Sequence, residues 1–447
     1  MKKFLSSKLF QLIWSGCLAL LIYFICPPCF EKPTLLKILV TLLVILNVFP
    51  FLMNGKGMIK TSFFWFTQAV RVFVGGLFIF SGAIKANDPV GFSYKLKEYF
   101  EVFQNDTGMA FFESFAHIAL PLAIIICASE IILGVMLLLG AKTNLTLSLL
   151  FAQIAFFTFL TFYSACYNKV THCGCFGDFW KLKPWESFWK DVILMISITV
   201  LYVGKKNINE VFAPMLSSAF LTVGILFSIG FPVYAYRNLP PKDFRPYAVG
   251  MNIKDNMKFP ETYLPAVIET GFIYENIKTG VKEHFNLQTY PWQDTLNWRW
   301  FATDNVVVKD AIDEPKITDF TVNNLDGVAI TDSLLNEKNY SFWLVMNELA
   351  YTSDDETLIS QINDFYKLAT DAKYNFIALS ASGAKEIDNF KHKYNALFDF
   401  ASVDNTVLKT MIRSNPGLML IKDGTVIAKW HYNNFPGFSD VRSKYMK

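Results

Sequence analysis

The sequence contains no cysteine after Cys175, although the chain continues to residue 447. This absence excludes thiol chemistry and intramolecular disulfides from the second half of the chain. Charge is also scarce, because charged residues make up 18% of the chain and soluble proteins contain about a quarter. This scarcity excludes an ordinary soluble protein. The net charge of +3 gives no strong basic excess, so nucleic acid is not an expected partner.

Apolar residues dominate the first half of the chain. Hydrophobic residues make up 53% of the sequence, and nearly all the long apolar runs lie before residue 235. A helix needs about twenty apolar residues to cross the hydrocarbon of a bilayer. The runs of suitable length predict about seven spans, of which the sixth is short: 9–26, 34–53, 62–84, 116–139, 145–166, 190–204 and 212–233. The sequence therefore predicts a polytopic α-helical membrane domain that also contacts lipid.

Lysines in the short segments beside the predicted spans indicate the orientation of this domain. Loops rich in Lys and Arg stay in the cytoplasm. The lysines that fall on one side by alternation are Lys2, Lys3, Lys8, Lys56, Lys60, Lys142, Lys205 and Lys206. We therefore predict a bacterial inner-membrane protein with a cytoplasmic N-terminus and a periplasmic C-terminal domain.

Five of the seven cysteines form two clusters, each just beyond a predicted span on the outer side. They are Cys26, Cys29, Cys166, Cys173 and Cys175. Disulfides persist on this oxidising side of the membrane. The sequence leaves open whether these disulfides exchange with clients or serve as static links between the first span and the loop after the fifth. The remaining two cysteines, Cys17 and Cys127, lie within spans and are expected to be packing residues.

The pattern around the second cluster bears on pairing and on metals. One residue separates Cys173 from Cys175, so a bond between them would be strained and pairing with another outer cysteine is easier. His172 adds an imidazole ligand that would suit zinc or copper. A fourth ligand is not evident, and we predict no metal site.

Arg71 and Glu130 are ionisable residues inside predicted spans. A charge at that depth costs about 2.5–3.5 kcal/mol on insertion scales and usually pairs with another group or lines a site. We predict that Arg71 and Glu130 lie close together. They would form a buried structural pair or stand near a quinone head group or proton path.

The pattern of strands and helices after residue 310 predicts an α/β domain. Apolar runs at 341–346, 375–379 and 397–401 alternate with segments of helical periodicity. An Asp423-Gly424 turn between two further apolar runs indicates a hairpin. This order resembles a thioredoxin-like fold, and the resemblance predicts three regions. They are a membrane domain at 1–235, a linker with a small β-rich segment at 236–310, and a thioredoxin-like domain at 311–447.

The resemblance to thioredoxin-like oxidoreductases lacks the catalytic cysteines. In that family a Cys-x-x-Cys pair follows the first of the central strands, and the corresponding loop here, 347–353, contains no thiol. Pro416, preceded by Asn415, matches the family proline that shapes a peptide-binding groove in active members. The resemblance implies a redox-inert domain in which Asn415 and Pro416 bind a partner, or in which the proline only supports a turn.

Three motifs between about residues 60 and 205 carry a second resemblance. They are Ser81-Gly82-Ala83-Ile84-Lys85, Asp88-Pro89-Val90-Gly91-Phe92 and Cys173-Gly174-Cys175-Phe176-Gly177-Asp178. They resemble the MauE/DoxX family of redox-associated membrane proteins, in which Glu130 matches a family glutamate. With the thioredoxin-like tail, the chain resembles composite members from Bacteroidetes-type bacteria. The resemblance implies a DoxX-like four-helix core and thiol or quinone redox at the outer membrane surface.

Two functional hypotheses follow. In the first, the chain is a thiol/quinone redox-associated protein that acts on or assembles periplasmic clients through its outer cysteines, with a protein client or a thioredoxin-like protein as partner. A quinone is the cofactor that this hypothesis suggests. In the second, the chain is a non-enzymatic membrane scaffold with static disulfides and a partner-binding thioredoxin-like domain. The sequence leaves open whether the chain is an enzyme.

Overall fold

The computed structural model describes residues 58–167, 169–170, 174, 176–309, 311–352 and 356–446. The chain divides into two compact units, Met1–Phe244 and Arg245–Lys447, and each is described by itself. The first two predicted spans, 9–26 and 34–53, lie outside the described residues.

The described part of the first unit consists mainly of α-helices. They are α1 (Met58–Asn87), α2 (Pro89–Thr107), α3 (Phe111–His117), α4 (Ala119–Leu139), α5 (Thr143–Tyr167), α6 (Pro184–Val203) and α7 (Pro214–Arg237). A short 3₁₀ turn, Lys205–Asn207, precedes α7. Each predicted span from the third to the seventh corresponds to one of the longer helices.

Four helices within the described residues are long and apolar enough to cross a membrane. They are Phe63–Asn87, Ala119–Leu139, Thr143–Tyr167 and Pro214–Arg237. Large apolar side chains such as Trp65, Val72 and Leu226 are exposed on their outer faces, as expected for helices in contact with lipid. The first half of α6 carries Glu186, Lys190 and Asp191, and this helix is not among the four. The chain is thus a membrane protein, and the total of about seven spans stays a prediction.

Glycines bring α1 and α4 close together. A Cβ atom at Gly134 would lie 2.7 Å from the carbonyl oxygen of Gly75, and one at Gly82 would lie 3.0 Å from the carbonyl oxygen of Cys127. Membrane helices associate through close van der Waals packing, so small residues are favoured where backbones approach. This packing places the C-terminal part of α1 against the middle of α4, where Glu130 lies.

The helix α2 covers part of this helical core. Asp88 caps its first turn by accepting a hydrogen bond from the Gly91 backbone N–H at 2.8 Å, and Pro89 occupies the first helical position. Its buried positions recur at helical spacing and include Phe92, Leu96 and Tyr99. The helix therefore turns one apolar face, with the Tyr99 hydroxyl, toward the other helices.

The second unit contains two β-sheets and several helices. Its elements are α8 (Ile253–Met257), β1 (Val267–Asn276), β2 (Lys282–Asn286), β3 (Trp298–Lys309), β4 (Asn323–Asn324), α9 (Thr331–Leu335), β5 (Tyr340–Val345), α10 (Glu356–Asp371), β6 (Asn375–Ser380), α11 (Ala384–Tyr394), β7 (Asp399–Ser402), α12 (Asn405–Met411), β8 (Gly417–Lys422), β9 (Thr425–His431) and α13 (Phe438–Tyr445). The smaller sheet is antiparallel, with strand order β2-β1-β3.

The larger sheet has the order β4-β7-β6-β5-β8-β9. β5, β6 and β7 are parallel to one another, whereas β8 runs antiparallel to β5 and β9 antiparallel to β8. A parallel βαβ core followed by an antiparallel hairpin and a final helix is the thioredoxin-like arrangement, so the predicted fold is confirmed. The Asp423-Gly424 turn joins β8 and β9 as predicted.

The central strand β5 is buried on both faces. Phe342 packs against Phe365 of α10, with ring centroids 5.0 Å apart, and Trp343 stacks on Phe320 on the other face. This double burial explains the continuous apolar run in the sequence, which is typical of central strands covered on both sides. It also fixes the end of β5, from which the loop at the thioredoxin-like site begins.

Candidate functional site

The described residues include two of the seven cysteines. Cys166, in the last turn of α5, is disulfide-bonded, whereas Cys127 in α4 is a free and fully buried thiol. The other cysteines of the predicted clusters lie outside the described residues: Cys26, Cys29, Cys173 and Cys175. Cys166 therefore marks the position of the predicted redox site within the described residues.

The helices α5 and α6 pack side by side along the part of α5 that precedes Cys166. The Thr161 hydroxyl donates a hydrogen bond to Asp191 Oδ2 at 3.0 Å, and the rings of Phe162 and Phe188 lie 5.3 Å apart. Later positions on α5 thus meet earlier positions on α6, and the two helices are antiparallel. Because Cys166 comes one turn after Phe162, it lies at the level of the first turn of α6.

Several polar side chains are fully buried in this region. Asp191 and Ser187 are one turn apart on α6, and Tyr99 from α2 lies with its hydroxyl oxygen 2.9 Å from Ser164 Oγ. Lys190 Nζ lies 2.8 Å from Asp191 Oδ1, an ion-pair distance without hydrogen-bond geometry. Within the described part of the chain, the Ser187 hydroxyl has no hydrogen-bond partner. Sequence reasoning missed this cluster because its residues come from three helices.

A buried ion pair joins α1 to α4. Lys85 Nζ contacts Glu130 Oε1, and each residue is only 2% exposed. The ammonium also lies 4.7 Å from the ring centroid of Phe157 and 5.3 Å from that of Phe92, so two aromatic faces contribute cation–π attraction. Glu130 Oε2 has no hydrogen-bond partner among the described residues. Cys127 lies one turn before Glu130 and packs in the adjacent apolar core.

The prediction that Arg71 and Glu130 lie close together is wrong, because Glu130 pairs with Lys85. Lys85 follows Arg71 by fourteen residues on α1, which is about 21 Å at the rise of an α-helix. The predicted third span ended at residue 84, so Lys85, the partner of Glu130, lay one residue outside that span. Lys85 stands in the first family motif, which was the signal that could have identified it.

Arg71 instead binds backbone carbonyl groups at the C-terminal end of α4. Its Nε and Nη2 atoms donate to the carbonyl oxygens of Leu137 and Leu138, both at 2.8 Å, and Nη2 also lies 3.3 Å from the carbonyl oxygen of Asn209. The side-chain oxygen of Gln68 accepts from Nη1 at 3.1 Å. The last carbonyl groups of a helix lack partners within the helix, and a guanidinium can satisfy several of them at once.

In the thioredoxin-like domain, Asn415 binds the loop that lacks cysteines. Its Oδ1 accepts hydrogen bonds from the Asn347 backbone N–H at 3.0 Å and from the Thr352 hydroxyl at 3.1 Å, and its Nδ2 donates to the Glu348 carbonyl at 3.2 Å. The Asn415–Pro416 peptide bond is cis. The loop is therefore held against the proline segment by an amide side chain where active relatives have thiols.

Further hydrogen bonds hold this loop and the neighbouring proline segment. The Leu349 backbone N–H donates to Ser382 Oγ, and the Tyr432 backbone N–H donates to Ser414 Oγ, each at 3.0 Å. Burial lowers the pKa of His431, beside Tyr432, to about 4, so this imidazole is neutral at neutral pH. The described part of this region contains no thiol, and besides backbone groups and neutral side chains it carries the Glu348 carboxylate, 3.5 Å from Lys409 Nζ.

We expect replacement of Asn415 by alanine to loosen the loop. The change removes three hydrogen bonds and leaves the Asn347 N–H and the Thr352 hydroxyl without that acceptor, which should lower the local opening free energy by about 1–3 kcal/mol. Hydrogen exchange of peptides covering 346–352 measures this change. Asn339→Ala, at an exposed position of the same domain, is the matched control and should leave exchange unchanged. Equal protection in both variants would contradict the bracing role.

Comparisons with known sequences and structures give three results. Residues 64–204 match the family described as methylamine utilisation protein MauE, and residues 268–310 match a domain of unknown function (DUF8463). No curated protein matches the chain. A solved structure similar to it is the solution structure of a "putative protein disulfide isomerase" from Bacteroides thetaiotaomicron. The two are 14% identical over 28% of this chain and 82% of that chain, with a TM-score of 0.24.

These matches have clear limits along the chain. The MauE match begins in α1 and ends just after α6, so it contains Glu130, Cys166 and Asp191 and confirms the predicted MauE resemblance. The second match covers nearly all of β1 to β3.

Proposed function

We propose that this chain, in which residues 64–204 form a MauE-family membrane domain, is a membrane thiol–disulfide redox protein that acts on periplasmic clients through its outer cysteines. The observation that carries the proposal is the disulfide at Cys166, at the end of a helix of that domain. The thioredoxin-like domain contains no cysteine, so it cannot take part in thiol exchange. The redox chemistry is therefore assigned to the membrane domain.

The proposed reaction transfers two electrons from a client to the membrane domain. A client thiolate attacks one sulfur of the Cys166 disulfide, which breaks that bond and forms a mixed disulfide. A second client thiolate then attacks the client sulfur, so that the client leaves as a disulfide and the membrane domain becomes a dithiol. A membrane quinone reoxidises the dithiol by taking two electrons and two protons, which yields the quinol and restores the disulfide.

The thioredoxin-like domain is assigned to partner binding in this proposal. Asn415 fixes the loop at 347–352 beside cis Pro416, so a braced surface with hydrogen-bonding groups and the Glu348 carboxylate takes the place of reactive thiols. Rigid surfaces bind partners with less loss of conformational entropy. Asn415 and Pro416 are the residues that we assign to this contact with a periplasmic protein or a thioredoxin-like partner.

The proposal includes the topology predicted from the sequence. It places about seven spans and a DoxX-like core in the bacterial inner membrane, with a cytoplasmic N-terminus and a periplasmic C-terminal domain. The division into 1–235, 236–310 and 311–447 belongs to the same proposal. On this topology Cys26, Cys29, Cys166, Cys173 and Cys175 face the oxidising side.

Replacing Cys166 with serine tests the proposed function. We expect wild-type protein to become reduced during a brief dithiothreitol pulse in cells and to reoxidise after washout. The Cys166→Ser variant should not restore the disulfide, and the partner cysteine should remain a thiol. Acid quenching followed by alkylation with a maleimide polymer measures each state on a gel. Cys127→Ala, at the free buried thiol, is the matched control and should behave as wild type.

The scaffold hypothesis gives the opposite result. If the outer cysteines stay oxidised in every redox background, and no mixed disulfide appears in any single Cys→Ser variant, the disulfides are static and the redox proposal fails.

A further inference from the structure

The two oxygens of the buried Asp191 carboxylate differ in their contacts, because one accepts a hydrogen bond from a neighbouring helix and the other accepts none within the described residues. Oδ2 accepts the hydrogen bond from Thr161, which links α5 to α6. Oδ1 has only the nearby Lys190 ammonium and no hydrogen bond among the described residues. A carboxylate that is fully buried and incompletely hydrogen-bonded is costly, and such groups cluster at functional sites.

The hydroxyl of Ser187 is a second buried polar group on α6, on the side of Asp191 toward Cys166 along the helix axis. Ser187 comes one turn before Asp191 on α6, about 6 Å along the helix axis, and Cys166 comes one turn after Phe162 on α5. Since the two helices are antiparallel, the step from Asp191 to Ser187 leads toward Cys166. Ser187 is fully buried, and its hydroxyl is without a hydrogen-bond partner in the described part of the chain.

We propose that Asp191 and Ser187 form a proton path for the Cys166 thiol, with Asp191 as the proton acceptor. This inference rests on the proposed function, because it assigns residues to the reoxidation of the same disulfide. During reoxidation the Cys166 thiol gives its proton through the Ser187 hydroxyl to Asp191. The thiolate sulfur then bonds to its partner sulfur while a quinone takes two electrons. Asp191 passes its proton to the reduced quinone, and the partner thiol supplies the second proton.

Two groups on α5 and α6 lie beside the Asp191 carboxylate. Lys190 on the same helix supplies a positive charge 2.8 Å from Oδ1, and the Thr161 hydroxyl of α5 donates to Oδ2. From α2, the Tyr99 hydroxyl is hydrogen-bonded to Ser164 on the same side of α5. The carboxylate thus has a nearby positive charge and one hydroxyl donor, and Oδ1 has no hydrogen bond within the described residues.

The test measures reoxidation of the dithiol with purified full-length protein in nanodiscs. Dithiothreitol is the dithiol probe and decylubiquinone the oxidant, and the rate obtained with Cys166→Ser is subtracted as background. We expect Asp191→Asn to lower the rate by about 10²-fold, the lower end of general acid–base effects. Ser187→Ala should give a smaller loss. Ser197→Ala is the control on the same helix, since its hydroxyl donates to the Ile193 carbonyl, and it should match wild type.

A pH profile separates a proton-transfer role from a structural one. A proton-transfer step that depends on Asp191 makes the rate depend on pH, so the wild-type rate should fall at low pH. The Asp191→Asn variant should lack that fall, whereas a variant that is merely less stable would be slow with an unchanged profile. Asparagine keeps an oxygen for the Thr161 hydroxyl, so the helix contact can persist.

The outcomes distinguish this inference from the proposed function. If wild-type protein shows no reoxidation that depends on Cys166, the proposed function fails and the proton path with it. If wild type turns over and Asp191→Asn has the same rate, or is slower with the same pH profile, the proton path alone is overturned.

Discussion

Replacing Lys85 with methionine is expected to lower the free energy of unfolding of the membrane domain by about 3–5 kcal/mol. The change leaves the Glu130 carboxylate fully buried without its cation, and Oε2 already lacks a hydrogen bond among the described residues. The loss includes the attraction between the ammonium and the rings of Phe92 and Phe157. Methionine has a similar length and fills the same space, so the effect reports the charge rather than a cavity.

Unfolding of the purified protein in mixed micelles, titrated with sodium dodecyl sulfate, measures this loss. Lys95→Met is the matched control, because the Lys95–Glu98 ion pair is about one-third exposed and should contribute about 1 kcal/mol or less. The double variant Lys85→Met/Glu130→Gln removes both charges, so it should be more stable than Lys85→Met alone. If Lys85→Met lowers the free energy of unfolding no more than Lys95→Met does, the Lys85–Glu130 pair is not desolvated. That result would contradict the burial of the pair in the structure.

The same variants separate stability from function at this pair. If the double variant folds and still reoxidises its dithiol, Lys85 and Glu130 hold α1 to α4 and take no part in proton transfer. That result would leave Asp191, closer to the level of Cys166, as the buried acid of the reaction. The glycine contacts between α1 and α4 are consistent with a structural role, since they bring both backbones within reach of one ion pair.

Patterns within one stretch of chain predicted the elements of this protein well. Apolar length predicted α1, α4, α5, α6 and α7 to within six residues at each end, because crossing a membrane demands a long apolar run, whereas α2 and α3 did not correspond to any predicted span. The apolar run at 341–346 predicted β5, which is buried on both faces, and Asp423-Gly424 predicted the hairpin turn between β8 and β9. The MauE resemblance was likewise predicted from short motifs in the sequence, and the match over residues 64–204 confirms it.

Contacts between helices could not be predicted in the same way. The pairing of Lys85 with Glu130 depends on the register between α1 and α4, which a sequence window does not contain. Asp191 lies at the edge of the predicted span 190–204, where a charged side chain can reach water, so its burial was not predicted. Only the antiparallel packing of α5 against α6 shows that its carboxylate is buried.

Replacing Arg71 with leucine is the second change with a large expected effect, a loss of about 3–5 kcal/mol in the free energy of unfolding. The guanidinium makes hydrogen bonds to the carbonyl groups of Leu137, Leu138 and Asn209, and bonds to charged groups contribute about 1.5–3 kcal/mol each when their partners are otherwise unsatisfied. Leucine keeps the apolar contacts but leaves these carbonyl groups without a donor. The same detergent titration measures the loss.

Arg71→Lys shows whether the geometry of the guanidinium matters. Lysine keeps the charge, but its ammonium cannot reproduce the planar fork that reaches the end of α4 and Asn209 together. We therefore expect Arg71→Lys to fall between wild type and Arg71→Leu. If lysine restores full stability, charge alone is sufficient. If leucine costs less than about 1 kcal/mol, water or lipid satisfies those carbonyl groups, and Arg71 would then need a role other than capping α4.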